Sequence, residues 1–227
     1  MLPLTSWALK TIGVTGVRTS TKNPHASISV PEAQKAIYVD FEGFQGQSPS
    51  LIGIFADGSL TQVVLDSRLN TAAAAKGCRM DSILDVATTL KRWCQDGGRK
   101  LVGYSQHELQ VFAEYAGVDF TAEYRDARMI AKRWWNKCRP GTPRQDNGLK
   151  TFLEAIGRPC PTYFGEQKVT SRLRAVIDML GNRGTYDALT PVVKSKWQKL
   201  LSYNEYDCRG MQELVALSCT EMAKART

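Results

Sequence analysis

The sequence predicts an α/β fold with a mixed sheet, antiparallel in its first three strands, flanked by helices and followed by a helical C-terminal part. Three observations carry this. Short apolar, β-branched segments at 36–41 (AIYVDF), 51–56 (LIGIFA) and 60–66 (LTQVVLD) are separated by Gly, Pro and Asp-Gly turn signals. A further strand pattern, KLVGYS at 100–105, follows an amphipathic segment at 80–95. Beyond it the periodicity is helical.

Each element has its own signal. ADGS at 56–59 suits a tight hairpin, so the first strands run antiparallel. Residues 80–95 place Ile83, Leu84, Ala87, Leu90, Trp93 and Cys94 at helical spacing. The segment 108–117 reads as a helix ended by Gly117. Helices are expected over 124–137, 148–156, 170–181, 186–201 and 203–224, with Pro191 either in a first turn or at a kink. Residues 1–35 read as an N-terminal arm or linker ahead of one domain at 36–227.

Composition narrows the function classes. The chain has 227 residues, 43% of them hydrophobic and 23% charged, enough for a sizeable core. No apolar run is long enough to span a bilayer. The formal charge of +8 is compatible with a polyanionic partner. Cysteines at 78, 94, 138, 160, 208 and 219 form no CxxC pair, which favours free thiols in a reducing compartment. Only two histidines are present, His25 and His107, so a metal here must be held by carboxylates. The N-terminal 31 residues carry Lys10, Arg18 and Lys22 but no acid. They read as the arm, with an organellar targeting segment as the alternative.

The chemistry concentrates in YVDFEGF at 38–44. Residues i and i+2 of a strand share a face, so Asp40 and Glu42 project together, about 7 Å apart along the backbone. Val39 and Phe41 take the other face. Such a pair repels and resists ionisation unless a cation sits between the carboxylates, and Mg²⁺ or Mn²⁺ suits oxygen ligands. Acids used to protect an edge strand are the other explanation. In SYNEYDCRGMQEL, Tyr203 and Asp207 lie four apart on one helical face, which fits a water held by both or a packed Tyr with a solvated Asp. Glu108 follows a strand at a helix mouth, where the dipole favours acids in any case. His107 beside it fits a ligand pocket or an ordinary surface position.

Taken in order, these motifs resemble the DEDD-type 3′–5′ exonucleases of ribonuclease-H-like fold, over residues 36–217. The likeness is greatest to the ribonuclease-H-like domain of predicted RecB-family nucleases of bacteria. YVDFEG resembles the first motif, VGYSQHEL the second, and YNEYDCRGMQEL the third in its tyrosine (DEDDy) form. GLKTFLEAIG at 148–157 resembles the helix between the last two. Two departures stand out. Glu108 occupies a place that is Asp in most of the superfamily, and Ser202 stands where the histidine form needs its base.

The resemblance implies a metal-dependent 3′–5′ exonuclease acting on single-stranded DNA or RNA ends. Two ions, Mg²⁺ or Mn²⁺, would flank the scissile phosphate about 4 Å apart. Asp40 would bridge them, Glu42 and Asp207 would complete the site of the water-activating ion, and Glu108 would serve the ion facing the leaving oxygen. Tyr203 would take the histidine's role and orient the attacking water. A structure-selective endonuclease of the same fold and an inactive nucleic-acid-binding module are the alternatives. The implied location is a bacterial-type cytoplasm.

Nucleic-acid contacts are expected elsewhere too. Gly43 leaves room for a nucleotide, and Phe44 either stacks on a base or packs in the core. Residues 125–150 hold eight basic residues, among them Arg128, Lys132 and Arg133, against Asp126 and Asp146. Trp134 and Trp135 interleave with them, as a stacking platform or as core. Asp126 is a helix cap or a support for the site, not a ligand. Lys168, Arg172 and Arg174 form a smaller basic patch.

Overall fold

The computed structural model describes residues 23–164 and 169–225. Its centre is a six-stranded mixed sheet in the order β4-β3-β2-β1-β5-β6. The strands are β1 (Ile37–Glu42), β2 (Leu51–Ala56), β3 (Ser59–Val64), β4 (Arg79–Met80), β5 (Leu101–Gly103) and β6 (Tyr124–Asp126). β2 is antiparallel to both β1 and β3, while β5 is parallel to β1 and to β6, and β4 is parallel to β3. The mixed α/β sheet with three antiparallel leading strands is as the sequence predicts. β4 and β6 are additions that the sequence pattern hides, because strands of two and three residues are too short to show a period.

The hairpin at 56–59 closes as expected. Asp57 (φ 51°) and Gly58 (φ 77°) both take left-handed conformations, the pair that a two-residue turn matching strand twist requires.

Helices cover both faces. On one, Ile37, Val39, Ile52, Ile54 and Val63 pack against α3 (Ile83–Gly97) and against Phe112 and Phe120. α3 begins later than residue 80 because Ser82 caps it, accepting a hydrogen bond from the Asp85 N–H. On the other face, Tyr38, Phe55 and Val102 meet α5 (Ala127–Cys138), α6 (Leu149–Ala155) and α8 (Pro191–Lys224). A third apolar cluster joins Leu51 and Val64 to α2 (Asn70–Ala74), α7 (Val169–Arg183) and the first half of α8. Residues 124–126, expected at the start of a helix, belong to β6 instead, and Asp126 caps α5 by accepting from the Met129 N–H at 2.9 Å. α4 (Gln106–Val111) continues through a π-helical turn at 112–116, and Gly117 (φ 66°) ends it.

The expected helices 186–201 and 203–224 are one. α8 runs unbroken for 34 residues, about 50 Å at 1.5 Å per residue, with Pro191 in its first turn. The apolar period lapses at Ser202, Asn204 and Glu205, which suggests a break, yet the backbone continues through them. The end of the expected arm is also built in. α1 (Val30–Lys35) carries a capping box at Ser29 and Glu32, and Ala33 joins the same core as α8. The acid-free stretch read as a targeting alternative lies, through residue 22, outside the described residues.

A notch in the sheet fixes where α8 sits. Asp40, Gly53 and Gln62 are register neighbours across β1, β2 and β3. A Cβ on Gly53 would lie 2.3 Å from Asn204 Oδ1 and 2.8 Å from Cys208 Sγ, both on α8. Only a residue without a side chain lets the helix approach this closely. Gly53→Ala is therefore expected to destabilise the protein by about 1–3 kcal/mol through overpacking, read by chemical denaturation. An unchanged midpoint would contradict this helix-on-sheet contact.

Candidate metal centre

The pleat of β1 sends Ile37, Val39 and Phe41 to the α3 face, and Tyr38, Asp40 and Glu42 to the α8 face. α8 lies across that second face and brings Asp207 to the strand. Carboxylate oxygens of Asp40, Glu42 and Asp207 all lie within 4.8 Å of one another. Glu42 and Asp207 are buried, and Asp40 is half-buried. The two carboxylates of β1 and the one from α8, 165 residues further along the chain, thus converge as the sequence motifs predict.

Asp40 is held in place. The Asn204 amide donates from Nδ2 to Asp40 Oδ2 at 2.9 Å and to the Asp40 carbonyl at 3.1 Å. Asn204 is itself oriented by Gln62, whose Nε2 donates to Asn204 Oδ1 at 3.0 Å. The sequence pattern alone does not single out these two supporting residues. Asn204 sits inside the YNEYD motif, and its position three before Asp207 was the available signal.

The oxygens of Glu42 Oε1 and Asp207 Oδ1 are buried without a hydrogen-bond partner. Burial and then mutual repulsion push the titration upward. The carboxyl of Asp40 is raised well above its ordinary range by burial, then by the charges of Glu42, Asp207 and Glu108. Glu42 is raised by burial and Asp207, with Arg172 opposing. Asp207 is pushed up to about 7 by burial, opposed by Lys150 and a hydrogen bond from Tyr203. Tyr203 is raised too, by burial and then by the three carboxylates, so its phenol stays protonated and serves as a donor.

Glu108 stands apart from the close cluster. It is buried, and its charge is felt at Asp40. Its Oε2, however, closes a capping box, accepting from the Ser105 N–H at 2.9 Å and from the Tyr124 hydroxyl at 3.2 Å. Gly103 makes room for this, since a Cβ there would lie 2.4 Å from the Tyr124 hydroxyl.

The expected nucleic-acid residues divide. His107, Gly43 and Phe44 line, with Glu42, a cleft of about 420 Å³ beside the acids. The missing Cβ of Gly43 faces the Pro49 backbone at 3.0 Å, so chain packing already demands glycine there. Phe44 is half-buried under the Arg174 guanidinium, 5.8 Å from its ring centre. Trp134 corrects the platform expectation. It is fully buried, its Nε1 donating to Glu221 at 2.7 Å, and no base can reach it. Trp135 is likewise core, and Arg139 and Arg144 stack on these two indoles. Arg128 and Lys132 are exposed on α5 and Arg133 is half-buried there; none of them is among the charges felt by the acid cluster. The cations that are felt there are Lys150 and Arg172. Lys168 lies outside the described residues.

No protein-family model, curated protein or solved structure matches this chain. The chemistry of the site therefore rests on its own geometry. Three carboxylates converge within reach of one small ion, and Glu42 and Asp207 each keep a buried oxygen without a hydrogen-bond partner. That donor set fits a hard divalent cation such as Mg²⁺ or Mn²⁺.

A pH dependence follows. A carboxyl whose folded pKa is raised binds more protons folded than unfolded between its two pKa values, so stability is present at low pH and lost as pH rises. For Asp207 this window runs from its ordinary 3.8 to about 7. Thermal unfolding without divalent ions should show this decline across the window, and Asp207→Asn should flatten it. Millimolar Mn²⁺ should restore stability above the window and do little below it. A melting temperature indifferent to both pH and Mn²⁺ would contradict the cluster.

Proposed function

We propose that this protein is a metal-dependent 3′–5′ exonuclease of ribonuclease-H-like fold, cutting phosphodiester bonds at single-stranded DNA or RNA ends. The observation that carries the proposal is the convergence of the Asp40, Glu42 and Asp207 carboxylates, two of which, Glu42 and Asp207, keep a buried oxygen without a partner. The sheet supports the fold assignment. Its first three strands are antiparallel and helices cover both faces, as the resemblance implies.

Asp40, Glu42 and Asp207 would hold the cation, with Glu108 beside them as the candidate ligand for a second. Divalent ions bound there would neutralise the carboxylates, attract a phosphodiester and make a nearby water more acidic. The side chains then divide the remaining work. Asn204 fixes the rotamer of Asp40. Tyr203, whose hydroxyl donates to Asp207, would accept a hydrogen bond from the attacking water and orient it. Lys150 and Arg172 offset the charge of the phosphate. In the hydrolysis, the water oxygen bonds to phosphorus, the bond from phosphorus to the 3′ oxygen breaks, and the proton ends on that oxygen, releasing a nucleoside 5′-monophosphate.

The test uses 3′- and 5′-labelled DNA and RNA oligonucleotides in Mg²⁺, Mn²⁺ or EDTA. Stepwise shortening from the 3′ end is expected in Mn²⁺ and none in EDTA. Asp40→Asn should lower the rate by about 100-fold or more, and Asn204→Ala by about 10–100-fold through weaker metal affinity that added Mn²⁺ partly rescues. Unchanged digestion by Asp40→Asn would exclude the site. Cutting of closed single-stranded circles would replace the exonuclease assignment with an endonuclease of the same fold.

A further inference from the structure

A second opening lies beside Arg172. It is a groove of about 710 Å³ between α7 and the start of α8, lined among others by Tyr163, Phe164, Arg172, Lys196 and Lys199. Lys196, Lys199, Tyr203 and Asp207 fall at i, i+3, i+7 and i+11 on α8, one continuous stripe of the helix. The stripe starts with two cations and ends at the acid cluster. Lys199 stands about 12 Å and Lys196 about 17 Å from Asp207 along the axis.

Three further features point to a ligand. Arg172, only 8% exposed, lines this groove while its charge is felt at Glu42, so it ties the groove to the acid cluster. Neither lysine has an ion-pair partner among the described residues. Finally, aromatic rings connect groove and site. Tyr163, 59% exposed, lies against Phe164 at 4.4 Å between ring centres, and Phe164 lies against Tyr203 at 5.5 Å.

Resting on the nuclease assignment above, we propose that this groove is the track for the single strand upstream of the scissile bond. Backbone phosphates meet Arg172, Lys199 and Lys196, and a base stacks on the exposed face of Tyr163. Basic groups that follow a backbone, with aromatics between them, are how single strands are held without sequence preference. The 12–17 Å between Asp207 and the lysines corresponds to roughly four to five nucleotides at 3.4 Å per stacked step. Substrates shorter than this miss the lysines.

Fluorescence anisotropy in EDTA tests the track with labelled single-stranded DNA and RNA of roughly 12 nucleotides, kept intact by the absence of metal. Lys196→Ala/Lys199→Ala should weaken binding about tenfold or more and shrink the slope of log affinity against log salt by about 1.4. Tyr163→Ala should weaken binding without changing that slope. Lys35→Ala/Arg92→Ala removes the same charge from exposed positions elsewhere and should leave binding as it is. Wild-type affinity in the lysine pair, or an equal loss in the charge-matched control, overturns the track. So does equally tight binding of a poly-glutamate peptide of similar charge, which would mean an acidic protein partner. Wild-type digestion of the same oligonucleotides in Mn²⁺, run in parallel, judges the nuclease assignment separately. If digestion is absent while binding depends on the lysines, the nuclease assignment falls and the groove stands as a single-strand binding surface.

Discussion

Three carboxylates pressed into one buried pocket set the terms for the rest of this molecule. Each ionised group raises the cost of ionising the next, and burial removes the water that would screen them. Left alone, Asp40, Glu42 and Asp207 resist ionisation, and a positive ion among them would relieve the strain. The fold spends considerable structure on keeping them together. Gly53 opens a notch for α8, Asn204 fills it and grips Asp40 from both its carbonyl and its carboxylate, and Gln62 grips Asn204. Stability alone would favour apolar side chains at such positions.

α8 is what makes the pocket rigid. Its first half packs with α7 and α2 against Leu51 and Val64, and its second half packs with α5 and α6 against Tyr38 and Phe55. A helix anchored in two apolar clusters cannot slide along the strand that lies between them. The polar residues Tyr203, Asn204 and Asp207 occupy the crossing point. Tyr203 and Asp207 therefore meet β1 at a fixed height, and Lys199 and Lys196 are carried on the same rod toward the groove beside α7.

Much of this was legible in the sequence, and the gaps have physical causes. Alternation in β1 placed Asp40 with Glu42 correctly because a strand has only two faces. The spacing of Tyr203 and Asp207 was right because one helix turn is a local constraint. The length of α8 was misjudged because its polar positions face the site, so the apolar period lapses where function replaces packing. β4 and β6 were too short for any period. Trp134 looked like a stacking surface because sequence shows its basic neighbours and not that α5 turns the indole inward. Glu108 was recognised as acidic and well placed, but its engagement with Ser105 and Tyr124 depends on a Gly103 contact between separate elements. Asn204 and Gln62 were missed for the same reason: their roles exist only once β3 and α8 meet.

The most direct test of the carboxylate pocket as a cation site is anomalous diffraction from crystals grown with Mn²⁺. A peak within about 2.0–2.6 Å of oxygens from Asp40, Glu42 and Asp207 is the expected result. Crystals in which these carboxylates hydrogen-bond to one another, with Mn²⁺ in the solution and no peak among them, would contradict it.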